Sequence, residues 1–274
     1  MENTVEIENA TDKDIEQLFK DLEEKSIKEL HIYNSVLSSQ IIYKLCEKLS
    51  YNKTIKSLTI SYCKINDNDL KIICRSLLVN ITLTELWLSH NEISDNGTEC
   101  LKDLLGVNQT LKILNLSNNN IGNDGAFNIS QGLLFNTSIK ELHLSKNPID
   151  EQGIQQLRDS VRFNPFINRL SAGEMVNLVH TEFKEERSLA YQEFIESDEY
   201  NEMIKDLCNS IFENYPTESI SIVRQYKNSI VINVYNKKLI DCLSQKVLKI
   251  KKTPSDMMTV INSFFMKPKK GKKL

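Results

Sequence analysis

The sequence predicts an α/β solenoid, with short parallel strands on a concave face and helices on a convex face, followed by a small α+β domain. Three observations predict it. One phrase recurs every 28 residues, from starts at Ile27, Ile55, Leu83, Leu111, Ile139 and Ile167. Within each period the first, fourth and sixth positions are apolar, as in Leu83, Leu86, Leu88 and Ile139, Leu142, Leu144, which describes a strand buried on one face. Further on, residues three and four apart, such as Thr98, Leu101, Leu105 and Ala126, Ile129, Leu133, form the inner stripe of a helix. A unit this short cannot bury its apolar face alone, so successive units must stack.

Each period then reads as strand, bend and helix. At the ninth position Asn91, Asn119 and Asn147 recur, where a buried amide can satisfy backbone groups of adjoining turns. Cys63 holds that position in the second repeat and Ser35 in the first. Gly97, Gly125 and Gly153 mark the expected bend into the helix. The first repeat has Ile41 instead, so a less regular bend is expected there. Each helix is expected to end near Asn80, Asn108, Asn136 or Asn164, where asparagine suits a left-handed cap.

This pattern resembles the leucine-rich-repeat family, in the 28-residue subtype with a helix in every repeat, as in ribonuclease inhibitor and Ran GTPase-activating protein. The resemblance covers Ile27 to about Gly173, as five repeats and a truncated sixth, INRLSAGEM. It implies a fold far more firmly than a function.

Composition narrows the setting. The first residues, MENTVEIENATDKD, are polar and acidic and do not read as a signal peptide, and no stretch is apolar enough to span a bilayer. Cytoplasm or nucleus is the expected location. Cys46, Cys74 and Cys100 fall on or beside apolar helix positions and no CxxC occurs, so reduced core thiols are expected, with neither a metal site nor a disulfide framework. The N-x-S/T triplets at Asn52, Asn80, Asn108 and Asn136 are generated by the repeat ending itself.

An open stack must cover its ends. Residues 1–26 are expected to cap the front with a helix opened by Thr11, with Ile15, Leu18, Phe19 and Leu22 on one face. Residues 27–173 form the solenoid and residues 174–274 a C-terminal α+β capping domain, in which no family is recognised. At the back, Ala172 replaces a leucine, leaving room for Met175 or Leu178. Helices from about Phe183 to Glu196 and from Ser197 onward follow, then a hairpin (Ser219–Val223 with Ile230–Tyr235) and helices through Leu239 to Val247 and after Ser255. Charge is segregated here: Glu182 to Glu218 holds eleven acidic residues and three basic, whereas Lys237 to the end holds eleven lysines against Asp241 and Asp256. The tail lysines Lys267, Lys269, Lys270, Lys272 and Lys273 can hold an anionic partner, or serve as a solubilising run.

Catalytic patterns are thin. No phosphate loop, nucleophile elbow or paired metal spacing appears, and His31 and His143 lie four strands apart, nearly 20 Å at about 4.8 Å per strand. Neither an enzyme nor a cofactor is expected. The outward strand positions instead form columns: Glu29, Glu85, Glu141; His31, Thr59, Trp87, Asn115, His143; and Tyr33 followed by serines. Trp87 is the sole tryptophan and sits at the centre of the concave face, with Tyr62, His90 and Lys146 on the loops beyond. Tryptophan is enriched among residues that dominate binding energy, so Trp87, Glu85, His31, Tyr33, Tyr62, His90, Asn115, His143, Glu141 and Lys146 are the expected partner-binding residues. The structural alternative is that Trp87 packs over Thr59 and Asn115. The expectation is a monomeric protein-interaction scaffold. The alternatives are a GTPase activator, or a cytoskeletal regulator resembling tropomodulin.

Overall fold

The computed structural model describes residues 3–173, 184–215, 241–242 and 245–246. Packing groups the chain into two units, Met1–Asn201 and Glu202–Leu274. In the first, seven strands alternate with helices: β1 (Thr4–Glu8), α1 (Asp12–Glu24), β2 (Glu29–Tyr33), α2 (Ser39–Tyr51), β3 (Ser57–Ser61), α3 (Asp67–Leu77), β4 (Glu85–Trp87), α4 (Asp95–Val107), β5 (Ile113–Asn115), α5 (Asn123–Leu133), β6 (Glu141–Ser145), α6 (Glu151–Phe163) and β7 (Arg169–Gly173). Two further helices follow, α7 (Lys184–Glu196) and α8 (Asp198–Asn214).

All seven strands lie in one parallel sheet in chain order. Register follows the sequence period, so Leu58 pairs Leu86, Leu86 pairs Leu114 and Leu114 pairs Leu142. These leucines are almost wholly buried, as are Leu101, Ile129 and Leu157 on the facing helices. The apolar core therefore lies between sheet and helices, and the other sheet face is left to the third, fifth and seventh positions.

Two asparagine ladders hold the repeats at fixed spacing. At the ninth position Asn119 donates from Nδ2 to the carbonyls of Leu88 (3.0 Å) and Leu116 (2.9 Å), and its Oδ1 accepts the N–H of Ile93 (3.1 Å). Asn91 and Asn147 repeat the pattern. Cys63 fits because its thiol donates to the carbonyls of Ser61 (3.1 Å) and Ile32 (3.5 Å), and Ser35 because its hydroxyl donates to Tyr33 and accepts from Ala10 N–H. The second ladder runs through the helix ends. Asn108 Nδ2 donates to Leu77 and Asn80 carbonyls, while its Oδ1 accepts the N–H of Thr110 and Leu111. The left-handed cap expected at Asn80, Asn108, Asn136 and Asn164 is not found, since none of the four has a positive φ. Their side chains, not their backbones, are what the position requires.

The glycines also differ from expectation. Gly97, Gly125 and Gly153 lie in the first turns of α4, α5 and α6 and do not form a bend. A Cβ there would meet an acidic or amide oxygen of the preceding repeat, Asp67 Oδ1 at 2.5 Å for Gly97 and Asn123 Oδ1 at 2.6 Å for Gly153. Those same side chains reach forward to cap the next helix: Asp67 accepts from Ser94 N–H and hydroxyl, Asp95 from the N–H of Gly122 and Gly125, and Asn123 from Asp150 N–H. In the second repeat the preceding residue is the shorter Ser39, and Asp69 stands where the later repeats have glycine, accepting the Ser39 hydroxyl at 2.7 Å. The Ile41 repeat is not irregular either, since Ser38 caps α2 in the ordinary way.

At the front, α1 has the capping box of Thr11 with Asp14 and buries Ile15 and Leu18, with Phe19 and Leu22 partly covered. Ahead of it the sequence reading missed β1. Its spacing to β2 is 25 residues, not 28, so it fell outside the period. At the back, α7 packs on α6, the Tyr191 ring meets Phe166 edge-on at 5.7 Å, and Tyr200 packs against Phe135 and Phe194. Ser197 caps α8 through Tyr200 N–H, and Ile204, Leu207, Cys208 and Ile211 are buried. The expected fillers Met175 and Leu178, the hairpin, the later helices and the lysine tail lie outside the described residues. Among those described, no helix is long and apolar enough to cross a membrane.

Candidate functional site: the concave sheet face

The strand pleat decides what faces outward. Leu86 and Leu88 are buried, and Trp87 between them is only partly covered, so it lies on the concave face. Register places Thr59, Trp87, Asn115 and His143 in one row. Trp87 does not settle on its nearest neighbours in that row. Its indole reaches across Asn115 to stack on His143, with ring centroids 6.2 Å apart and planes 17° off parallel, and Nε1–H donates to Glu85 Oε2 at 3.3 Å. Ser57 donates to the same carboxylate oxygen at 3.2 Å.

Two hollows meet at Trp87 and Asn115. The first is bordered by His31, Tyr33, Tyr62, Glu85 and His90, together with Glu29, Lys28 and Lys56. In it the His31 ring lies parallel to Tyr33, at 6.1 Å, and its Nδ1 is hydrogen-bonded to Thr59 Oγ1 at 2.8 Å. Tyr62 and His90 stack at 4.0 Å. The second hollow is bordered by Glu141, His143 and Lys146, with Arg169 and Ser171 from β7. His143 Nε2 lies 3.3 Å from Glu141 Oε2, and Ser171 Oγ 3.5 Å from its Nδ1. Burial holds the His143 pKa below the usual 6.5; Glu141 opposes that shift and Arg169 adds to it.

The rim has its own regularity. Asn9, Asn34, Tyr62, His90, Asn118 and Lys146 all have φ between 48° and 57°. They occupy the same place in successive turns, within three residues of the strand end, so the left-handed turn sits here and not at the helix ends. Asparagine and, to a degree, histidine tolerate this conformation, whereas tyrosine and lysine adopt it at a cost. Fixing φ at Tyr62 and His90 is what brings their rings face to face beyond the strand ends.

All ten residues read from the sequence as partner-binding therefore border one of the two hollows, and Trp87 with Asn115 borders both. His31 and His143 stay apart, on β2 and β6. The structure adds Arg169 and Ser171, which the truncated sixth repeat supplies at the third and fifth positions, and Glu6, which pairs His31 from the overlooked β1. The tail lysines fall outside the described residues. Among those described, no three His, Cys, Asp or Glu side chains converge as a metal site.

A sheet of short parallel strands, each followed by a helix and an asparagine ladder, defines a solenoid of leucine-rich repeats. The family profile described as Leucine Rich repeat matches residues 51–74, 79–102, 107–130 and 135–157, so these repeats are leucine-rich repeats. Among solved structures the chain is similar to leiomodin-1 actin-binding site 2, at 22% identity over 56% of this chain and 88% of that one, with a TM-score of 0.48. It is also similar to the tropomodulin C-terminal domain of Caenorhabditis elegans, at 18% identity over 54% of this chain and 91% of that one, with a TM-score of 0.46. No curated protein matches the sequence.

Proposed function

We propose that this chain is a non-enzymatic interaction scaffold that binds a partner protein on the concave sheet face, with Trp87 as the anchor. The observation that carries the reading is the placing of the chain's one tryptophan, partly open, where two hollows of the concave face meet. A large ring with one hydrogen-bonding edge, pre-positioned by Glu85 and His143, loses little freedom on binding. Leucine-rich repeats supply the rigid surface that such an anchor requires.

The strands alone are too small for the whole footprint. Seven strands at about 4.8 Å give a strip about 34 Å wide, and three outward rows about 7 Å apart give about 14 Å in the other direction. The resulting face, about 480 Å² in projection, falls short of the ~800 Å² per partner that a stable interface uses, so the rim bearing Tyr62, His90 and Lys146 belongs to the footprint.

The test is a pull-down with wild type and Trp87→Ala, followed by affinity measurement on the captured partner. Loss of affinity by about 2 kcal/mol or more in the variant is expected. Equal capture by both proteins rejects the anchor. Stimulated GTP hydrolysis in a panel of small GTPases would turn the reading toward a GTPase activator, and Trp87-independent capture of actin toward a cytoskeletal regulator. The lysines of the tail are proposed as a second, anion-binding segment. Binding that is insensitive to salt and to removal of the last eight residues would reject it.

A further inference from the structure

The loops that carry the chain from each helix to the next strand form one border of the sheet, and their charge has one sign. Residues 25–28, 52–56, 78–84, 108–112, 134–140 and 164–168 hold Lys25, Lys28, Lys53, Lys56, Lys112 and Lys140 and no acidic residue. The opposite loops, from strand to helix, are balanced, with Lys64 and Lys146 against Glu92 and Asp150. Two of the six lysines are engaged: Lys25 pairs Asp21 at 2.9 Å, and the Lys140 ammonium lies 5.2 Å from the centre of the Phe166 ring. Lys28, Lys53, Lys56 and Lys112 are exposed and form no ion pair among the described residues. The glutamates that open the neighbouring strands, Glu29, Glu85 and Glu141, lie instead beside His31, Trp87 and His143.

A backbone ladder stacks these loops in register. Lys56 and Ser57 donate their N–H groups to the Lys28 carbonyl, Thr84 and Glu85 to that of Lys56, and Lys112 and Ile113 to that of Thr84. Three strand spacings therefore separate Lys28 from Lys112, about 14 Å, and neighbours in the row lie within the ~10 Å over which exposed charges act together. Their repulsion opposes folding. Helix dipoles do not account for the row, because that effect fades within the last turn and Lys28, Lys56 and Lys112 stand four or five residues past a helix end. Apolar side chains share the border. Ile81, 62% exposed, takes in its turn the place that Lys25 and Lys53 hold in theirs, and Tyr51, 79% exposed, ends α2 two residues before Lys53.

We propose that this border docks on a bilayer surface rich in anionic lipid, with Lys28, Lys53, Lys56 and Lys112 on the headgroups and Tyr51 and Ile81 at the boundary with the acyl chains. Charge complementarity selects an anionic occupant. The two open apolar side chains select a bilayer, since a nucleic acid or an acidic peptide gains from the lysines but nothing from Ile81, whereas a lipid interface takes both. Lysine suits the position, because its stem can lie along the interface while the ammonium meets phosphate. The role goes beyond partner binding on the concave face and adds a place where a bound partner would be held.

The test is co-sedimentation of the full chain with phosphatidylcholine vesicles, with and without phosphatidylserine. Binding is expected only with phosphatidylserine, falling as salt rises. Each lysine near an anionic surface strengthens binding about fivefold, so Lys28→Gln/Lys53→Gln/Lys56→Gln/Lys112→Gln should bind at least about tenfold weaker at an unchanged thermal midpoint. A control with the same charge change, Lys13→Gln/Lys44→Gln/Lys64→Gln/Lys71→Gln, should bind as wild type does. Both variants keep the lysine tail, so equal binding by wild type and the border variant, or equal loss in the control, overturns the proposal. Tyr51→Ser/Ile81→Ser should weaken vesicle binding while leaving the weaker association with soluble polyglutamate unchanged. Polyglutamate binding as tight as vesicle binding and indifferent to Tyr51 and Ile81 would assign the border to an acidic protein segment and overturn the bilayer. Trp87→Ala should bind vesicles as wild type does, so this proposal and the concave-face reading fail separately.

Discussion

The Asp95 carboxylate crosses from one repeat to the next to accept the backbone N–H of Gly125 at 3.0 Å and of Gly122 at 2.6 Å. It thereby caps α5, whose own N-cap residue, Gly122, has no side chain to do so. The close approach leaves no room for a Cβ at position 125. Gly125→Ala should cost about 1–3 kcal/mol through overpacking, and Asp95→Ala about 1–2 kcal/mol through the lost cap. In the double variant the clash with Asp95 is gone and only that with Ile121 Cγ2, at 2.6 Å, remains, so the two losses should add only in part. Strict additivity in urea unfolding of all four proteins would reject this account of the glycine.

Neighbouring residues of β4 should behave oppositely. Leu86 is wholly buried, and Leu86→Ala should cost about 2–5 kcal/mol. Trp87→Ala removes only a half-covered ring, one hydrogen bond and the stack on His143, and should cost about 1 kcal/mol. A thermal scan in which the tryptophan variant falls as far as the leucine variant would place Trp87 in the core.

Cys63 occupies an asparagine position and does part of an asparagine's work. It donates to Ile32 and Ser61 carbonyls and accepts from Ser35 N–H, while burial pushes its pKa upward and keeps it a thiol. Cys63→Ala strands those groups and should cost about 1–3 kcal/mol. Cys63→Asn, which restores the ladder of Asn91 and Asn119, should cost much less. The reverse order in chemical denaturation would mean that the ladder does not extend into the second repeat.

What could be read from the sequence follows from how each feature is encoded. The strands, the helices and the concave rows were legible because a strict 28-residue register repeats one side-chain pattern, and burial on one face leaves the other predictable. β1 was not legible, since its offset of 25 residues breaks that register. Nor were the roles of the glycines and helix-end asparagines, because both answer to a neighbouring repeat: Gly97 to Asp67, Asn108 to the Leu77 carbonyl. Ten candidate site residues could be placed on the face and its rim, but the contact of Trp87 with His143 skips a strand, and no single-repeat pattern announces it.

His143 gives the face a pH signature. Burial lowers its folded pKa beneath the usual 6.5, so the unfolded chain takes up a proton at this site before the folded chain does. Its contribution to stability is therefore present above about pH 6.5 and is lost as the pH falls from there through the lowered folded value. His143→Gln should flatten that segment of the stability profile. An NMR titration of the His143 ring with a midpoint at or above 6.5 would contradict the burial of this ring beneath Trp87.

The back of the solenoid supplies the last prediction. β7 is the last strand of the sheet among the described residues, and α6 is covered by α7, with Tyr191 against Phe166 and Tyr200 against Phe135 and Phe194. Tyr191 and Tyr200 are each about 1% exposed, and both belong to the first unit. A chain ending at Glu174 lacks α7 and both tyrosines. It should expose Phe135, Phe166 and the apolar side of α6 together with an open strand edge, and aggregate in proportion to concentration. Restoring the chain to Asn214 should recover a soluble solenoid, whereas Tyr191→Ala in the full chain should cost about 3–5 kcal/mol, the range for truncating a buried aromatic. A monodisperse 1–174 fragment in sedimentation, with the thermal midpoint of the full chain, would show that α7 does not close the stack.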